Sequence, residues 1–199
     1  MLIEDFKDKR GLWRKSKTVN YTQRNTVSGA KWRDMNSRCL IGGSAQKQRK
    51  TYEGCFVSEG FKDFQFFTEW HKEQVGYGLV DYALDKDLLI QGNKEYSEAF
   101  CVLIPKSLNC FLTDARAARG ITSQGVHYRK DSGKYSVHLN INGCRQYLGL
   151  YTNEQDAYTV YKSSKEAEAR RWAKRLHNRE FIVDIRVIEA LQKWELNNE

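Results

Sequence analysis

A chain of 199 residues with 40% hydrophobic and 13% aromatic content is long enough for one large or two small domains and too apolar for disorder over most of its length. Its single proline excludes long proline-rich linkers, and no segment approaches the roughly 20 apolar residues of a membrane span. The formal net charge of +8 at pH 7 favours polyanionic partners, nucleic acid above all.

Met1-Leu2-Ile3-Glu4-Asp5 lacks the basic start and apolar run of a signal peptide, so a cytoplasmic protein with no membrane partner is expected. The cysteines, Cys39, Cys55, Cys101, Cys110 and Cys144, are odd in number, and none forms a CxxC pair. That spacing disfavours a zinc ribbon or a thioredoxin-like site. Buried free thiols are the simpler expectation, and a metal site of scattered ligands is the alternative.

Residues 1–28 read as an extended basic arm carrying Lys7, Lys9, Arg10, Arg14, Lys15 and Lys17, partly ordered by Leu12 and Trp13. Residues 29–40 are predicted helical, with Trp32, Met35 and Leu40 on or near one face. Gly42 to Lys50 reads as a basic loop, and no Gly-Lys-Ser/Thr follows to make it a phosphate-binding loop. Cys55-Phe56-Val57 reads as a short strand. Phe61, Phe64, Phe67 and Trp70 recur at helical spacing, which predicts an amphipathic helix over about 60–74 whose aromatic stripe is core rather than a base-stacking platform. A strand containing Asp85 and Asp87 then meets a Gly92-Asn93 turn, and Ser97 is the expected N-cap of a short helix. Cys101–Pro105 reads as a strand. Residues 106–119 read as a helix bearing Arg116 and Arg119, with Gly120 as its C-cap.

The second half alternates more cleanly. Val126 and Tyr128 oppose His127 and Arg129; Tyr135, Val137, Leu139 and Ile141 oppose Lys134, Ser136, His138 and Asn140. Asp131-Ser132-Gly133 is a turn, and Asn142-Gly143 is the strongest two-residue hairpin signal. A third strand, Cys144–Tyr151, follows. Asn153 then caps a helix to about Leu176, with Ala157, Tyr161, Ala167 and Ala169 on its small or buried positions. A last amphipathic helix near Glu180–Leu196 places Ile182, Ile185, Ile188 and Leu191 on one stripe.

The apolar face of this sheet must pack on the long helix. The other face presents Gln124, His127, Arg129, Lys134, His138, Asn140, Arg145 and Tyr147, with no carboxylate among them. A merely solvated face mixes both signs; this set offers donors and acceptors suited to base edges and phosphates, and a narrow sheet can enter a major groove.

Gly125-Val126-His127-Tyr128-Arg129, Gly133-Lys134-Tyr135, Arg145-Gln146-Tyr147-Leu148-Gly149-Leu150-Tyr151 and Glu154-Gln155-Asp156-Ala157-Tyr158 together resemble the plant ethylene-response-factor DNA-binding domain, over about Ile121–Lys174. The resemblance implies that alternate strand residues contact double-stranded DNA, here Gln124, His127, Arg129, His138, Asn140, Arg145 and Tyr147. His127 stands where the plant domains carry arginine. Asp131, in a turn one residue longer, falls near their tryptophan, so the DNA sequence they read does not carry over.

The first half resembles bacteriophage HNH homing endonucleases that carry such a domain at the C-terminus. The matching residues are Trp32 to Cys39, Tyr52-Glu53-Gly54-Cys55, Leu84-Asp85-Lys86-Asp87, Gly92-Asn93-Lys94 with Tyr96-Ser97, Cys101-Val102-Leu103-Ile104-Pro105 and Asn109, covering most of residues 29–112. HNH enzymes hydrolyse phosphodiesters with one divalent cation, Mg or Mn, and a neutral histidine that deprotonates water. The resemblance implies that Asp85 holds the metal, that Glu98 or Ser97 adds a ligand, and that Asn93 orders the intervening loop. Lys86 stands where the general-base histidine belongs, and Asp87 is the alternative base. His71, His127, His138 and His177 all lie outside this segment. Spacing alone reads Asp85-Lys86-Asp87 as a solvated, salt-bridged strand end.

The expected fold class is α+β. An HNH-like half of the ββα-metal type spans 29–120, a three-stranded antiparallel sheet on a long helix spans 121–176, and a final helix spans 177–199. The expected function is a phage-type, metal-dependent DNA endonuclease targeted by its C-terminal sheet and working in the cytoplasm of a bacterial host cell. The alternative is a non-catalytic phage protein on a degenerate HNH fold, which binds DNA or inhibits host defence through a host nucleoprotein partner.

Overall fold

The computed structural model of the chain describes residues 26–113 and 122–196, together with the backbone of 5–7 and 13–15. The chain divides into two compact units, Met1–Ile104 and Pro105–Glu199, and its fold class is mixed α+β. No described helix is long and apolar enough to cross a membrane.

The first unit opens with β1 (Asp5–Lys7) and β2 (Trp13–Lys15), paired antiparallel with Phe6 opposite Arg14. Part of the expected extended arm is therefore a β-ladder, and its last three residues, 26–28, cap and open the first helix; the rest lies outside the described residues. Helix α1 (Val27–Cys39) starts at Thr26, whose Oγ1 accepts from the Gly29 N–H at 3.0 Å. The basic stretch expected to be a loop contains the short helix α2 (Ser44–Gln48). Gln46 explains it: its amide donates to the carbonyls of Arg38 and Tyr52 at 3.3 and 3.2 Å, tying the segment down without apolar content.

Strand β3 (Phe56–Val57) leads into α3 (Glu59–Lys62) and α4 (Phe64–Glu73). The aromatic stripe is core, as its period implied. Phe61 and Phe67 are fully buried, their rings edge-on at 5.0 Å. The single predicted helix breaks in two because Asp63 takes an extended conformation and caps α4, accepting from the N–H groups of Gln65 and Phe66 at 2.7 and 3.1 Å. Trp32 ties α1 to this pair of helices, donating from Nε1 to the Phe61 carbonyl at 2.9 Å. Strand β4 (Tyr82–Asp85) pairs with β6 (Val102–Pro105), and β5 (Glu95–Tyr96) runs parallel to β3. The short helix expected at Ser97 is a turn instead, closed by the Cys101 N–H on the Ser97 carbonyl at 2.9 Å.

The second unit begins with α5 (Lys106–Leu112). Arg116, Arg119 and Gly120, expected to extend and cap that helix, lie outside the described residues. Strands β7 (Val126–Arg129), β8 (Lys134–Ile141) and β9 (Cys144–Tyr151) form an antiparallel sheet in that order, packed on the long helix α6 (Glu154–His177). Asn142 and Gly143 both have positive φ, 51° and 80°, as the two-residue turn between β8 and β9 requires. Gly125 sets the entry to β7. Its φ is +72°, and a Cβ there would stand 2.0 Å from the Tyr161 ring, so only glycine lets the chain cross α6 at this point.

Helix α6 buries Ala157, Tyr161, Lys165, Glu168, Ala169, Trp172, Ala173 and Leu176, a stripe at helical spacing. Ala167 is exposed, and the charged Lys165 and Glu168 take positions in that stripe. The Lys165 ammonium lies 5.6, 5.8 and 5.9 Å from the ring centres of Phe111, Tyr161 and Trp194, where ring quadrupoles offset part of its desolvation. The final helix, α7 (Ile185–Lys193), is shorter than expected, because Asp184 caps it and accepts from the Arg186 N–H at 2.9 Å. Its buried stripe is Val187, Ile188 and Leu191, while Ile182 and Ile185 are exposed.

Candidate functional site

The open face of the sheet is built by register. His127 and Ser136 are paired across β7 and β8, His138 pairs with Tyr147, and Asn140 pairs with Arg145. Between Tyr147 and Gly149 strand β9 carries one extra residue, Leu148, a bulge that lets Tyr147 and Leu150 both lie opposite open-face residues of β8. The rings of His127, His138 and Tyr147 form a row across the three strands, with centres 5.6 and 5.4 Å apart. Lys134, Asn140, Arg145 and Tyr147 are exposed, and Gln124 is half-buried. Ser136 departs from the expected alternation: it is buried, and its Oγ donates to the His127 carbonyl at 3.2 Å.

Partial burial, then the nearby Arg145 guanidinium, holds both His127 and His138 below the ordinary imidazole range. Each ring is thus neutral at pH 7 and offers one donor and one acceptor. Arg129 is gripped by a residue that sequence reasoning left off the face. Asp131 accepts from its Nε at 3.2 Å and its Nη2 at 2.6 Å. The turn position of Asp131, two residues past Arg129, is the signal that could have found it.

Residues of this face also line a cleft of about 470 Å³. Its lining combines open-face residues, among them His127, His138 and Arg145, with Phe111, Tyr161 and Lys165 from the helices.

In the first unit, Asp85, Lys86, Asp87 and Asn93 come together as one turn. The Asp85 carboxylate is buried, and its Oδ1 accepts from the N–H groups of Asp87 and Leu88 at 3.0 and 2.8 Å. Burial, and next the neighbouring Asp87, push its carboxyl well above the usual carboxylate range. Asn93 fastens the loop: its amide donates to the carbonyls of Lys86 and Glu95 at 2.7 and 2.8 Å, and its Oδ1 accepts from the Glu95 N–H at 3.1 Å. Lys86 is buried. Its ammonium donates to Asp87 Oδ2 at 3.1 Å and to the Asn93 carbonyl at 2.5 Å, and sits 5.7 Å from the Tyr96 ring centre.

The remaining candidate ligands are arranged differently. Glu98 is exposed and accepts from Ser58 Oγ at 3.5 Å, while Ser97 Oγ is buried without a hydrogen-bond partner. Among the described residues, no group of three His, Cys, Asp or Glu side chains is placed to hold a metal ion. Among the described residues the donor set is a carboxylate pair without a third ligand and, as positioned, does not fit a bound cation. The cysteines are all free thiols. Cys55 and Cys101 are buried, Cys39 is half-buried with its thiol pushed up to about 12 by burial, and Cys110 and Cys144 are exposed.

Comparison with protein-family models, curated proteins and solved structures finds no match to this chain.

Proposed function

We propose that the chain is a DNA-binding protein that grips double-stranded DNA with the open face of β7, β8 and β9. The observation that carries this reading is the row His127–His138–Tyr147, flanked by Arg129, Lys134 and Arg145 on an exposed sheet. Neutral imidazoles and the Asn140 amide offer both donors and acceptors to base edges, while the guanidinium and ammonium groups meet phosphate. The resemblance to the plant ethylene-response-factor domain supports the same face, and +8 net charge supports a polyanion.

For the first unit we favour a non-catalytic scaffold of HNH type. Asn93 fastens the loop as the resemblance to phage HNH enzymes implies, yet Lys86 fills the position of the base and is tied to Asp87 and Asn93. A phage protein of this kind would bind DNA, or block a host nucleoprotein, in the bacterial cytoplasm. The second reading, a metal-dependent endonuclease, is favoured by one observation. The neighbouring Asp87 disfavours charge on the buried Asp85, and Mg or Mn held between the two carboxylates would relieve that conflict.

The test is binding of a labelled duplex in chelator and in magnesium, run beside supercoiled plasmid with magnesium or manganese. Equal binding in both buffers and intact plasmid support the non-catalytic reading. Metal-dependent nicking that disappears in Asp85→Ala establishes the nuclease.

A further inference from the structure

A cleft in the second unit has two sides of different chemistry. One side is the edge of the open face: Gln124, His127, His138, Asn140 and Arg145. The other is formed by Phe111, Tyr161, Lys165 and Cys110 of α5 and α6. Its volume of about 470 Å³ falls in the roughly 300–1,000 Å³ range of small-ligand sites. Amide side chains that recognise hydrogen-bonding edges, the half-buried Phe111 ring that can meet a planar group, and the exposed Arg145 guanidinium for negative charge converge on one space, with buried Tyr161 and Lys165 behind them. The described lining includes no carboxylate.

We propose that this cleft is a nucleotide site, holding a planar base against the half-buried Phe111 ring, with Gln124 and Asn140 at the base edge and Arg145 toward the phosphate. The chemistry selects a base joined to an anionic group rather than a bare anion. Simple phosphate would use Arg145 and leave the Phe111 ring and the amides unengaged. Neutral His127 and His138 add one donor and one acceptor each. Two sources supply such a ligand: a free mononucleotide, or a nucleotide turned out of a DNA strand held on the adjoining face. The second source rests on the sheet-face reading; the first does not.

Cys110 provides the readout, since it is exposed and lines the cleft. In the full-length Cys144→Ser protein, which lacks the other exposed thiol, the rate of Cys110 alkylation is followed by peptide mass spectrometry. Additions are deoxynucleoside monophosphates, inorganic phosphate, or a short single-stranded oligonucleotide. Protection by a mononucleotide, and none by phosphate, establishes the free-nucleotide source. Protection by the oligonucleotide alone establishes the strand-borne source. Protection should fall several-fold in Asn140→Leu and in Arg145→Gln, both surface changes checked for retained fold by circular dichroism. Absence of protection by every nucleotide, or equal protection by phosphate, overturns the proposal, as does protection that persists in both variants. Duplex binding measured on the same preparation separates the two ideas: binding without protection removes the cleft and leaves the sheet face, and protection without duplex binding does the reverse.

Discussion

Asp131 forks Arg129, accepting from Nε at 3.2 Å and from Nη2 at 2.6 Å at the end of the sheet face that otherwise presents basic and neutral polar groups. Both side chains are more than half exposed, so the pair adds little to folding. Its consequence is for binding. A phosphate approaching Arg129 competes with a carboxylate already in place, and Asp131 itself repels the DNA backbone.

Asp131→Asn should therefore raise affinity for non-specific duplex several-fold and steepen the fall of affinity with salt, because one more cation becomes available to displace counterions. Fluorescence anisotropy over a salt series reads both quantities. Weaker binding in the variant would mean that the fork holds Arg129 in the orientation DNA requires.

Asn93 closes the turn after β4 with three hydrogen bonds, two donated to backbone carbonyls and one accepted from a backbone N–H. Removing them leaves those groups unsatisfied in a partly buried loop. Asn93→Ala should destabilise the protein by about 2–4 kcal/mol in denaturant unfolding. A change within about 0.5 kcal/mol, the range of ordinary surface substitutions, would show that the loop does not depend on this clamp.

His71 and Asp85 pull the pH dependence of stability in opposite directions. His71 is fully buried, with Nδ1 2.9 Å from Ser28 Oγ, and burial followed by Lys31 lowers its pKa to about 4. The unfolded chain binds a proton at the ordinary value near 6.5, so the contribution of neutral His71 is complete above that pH and is lost as pH falls toward about 4. Asp85, with its carboxyl raised in the fold, contributes the reverse: stability present at acid pH and lost as pH rises through its folded value. Thermal unfolding between pH 4 and 7 should show His71→Asn losing less stability on acidification than wild type, by on the order of 1–3 kcal/mol. Asp85→Asn should lose more on acidification than wild type. Parallel pH profiles for all three proteins would contradict both assignments.

The end of α6 offers a stabilising change. Arg179 has φ 61°, the left-handed conformation, and the N–H groups of Arg179 and Glu180 return to the carbonyls of Leu176 and Arg175 at 3.0 and 3.2 Å. That is the C-terminal motif in which glycine is preferred. Arg179→Gly should raise stability by about 1 kcal/mol, measured as a higher unfolding midpoint at unchanged denaturant slope. An unchanged or lower midpoint would show that the arginine side chain offsets its backbone strain.

The sheet was legible because period-2 alternation and Asn142-Gly143 fix both strands and turn, and the exposed row followed from alternation alone. Ser136 and the bulge at Leu148 were not legible, since a bulge leaves no composition signal when its positive-φ glycine, Gly149, is read as part of a strand. The stripe of α6 was misread at Ala167 because Lys165 and Glu168, the residues inside it, are charged; the rings of Phe111 and Trp194 that lie beside the Lys165 ammonium are distant in sequence. In the first unit the aromatic stripe revealed the core, but the break at Asp63 is a capping event that helical period cannot register. The Gly92-Asn93 turn was legible, but the strand expected to contain both Asp85 and Asp87 ends at Asp85, whose carboxylate turns back on the Asp87 and Leu88 N–H groups. The chemistry of this turn did not follow from spacing, because the burial of Asp85 and Lys86 depends on neighbours outside the motif.

The central claim, that the exposed sheet grips duplex DNA, is tested most directly by titrating a labelled duplex with wild type, Arg145→Ala and His138→Ala across a salt series. Affinity should fall steeply with salt, with a loss of roughly five- to hundred-fold in Arg145→Ala and a smaller loss in His138→Ala. A flat salt response, or wild-type affinity in both variants, would contradict it.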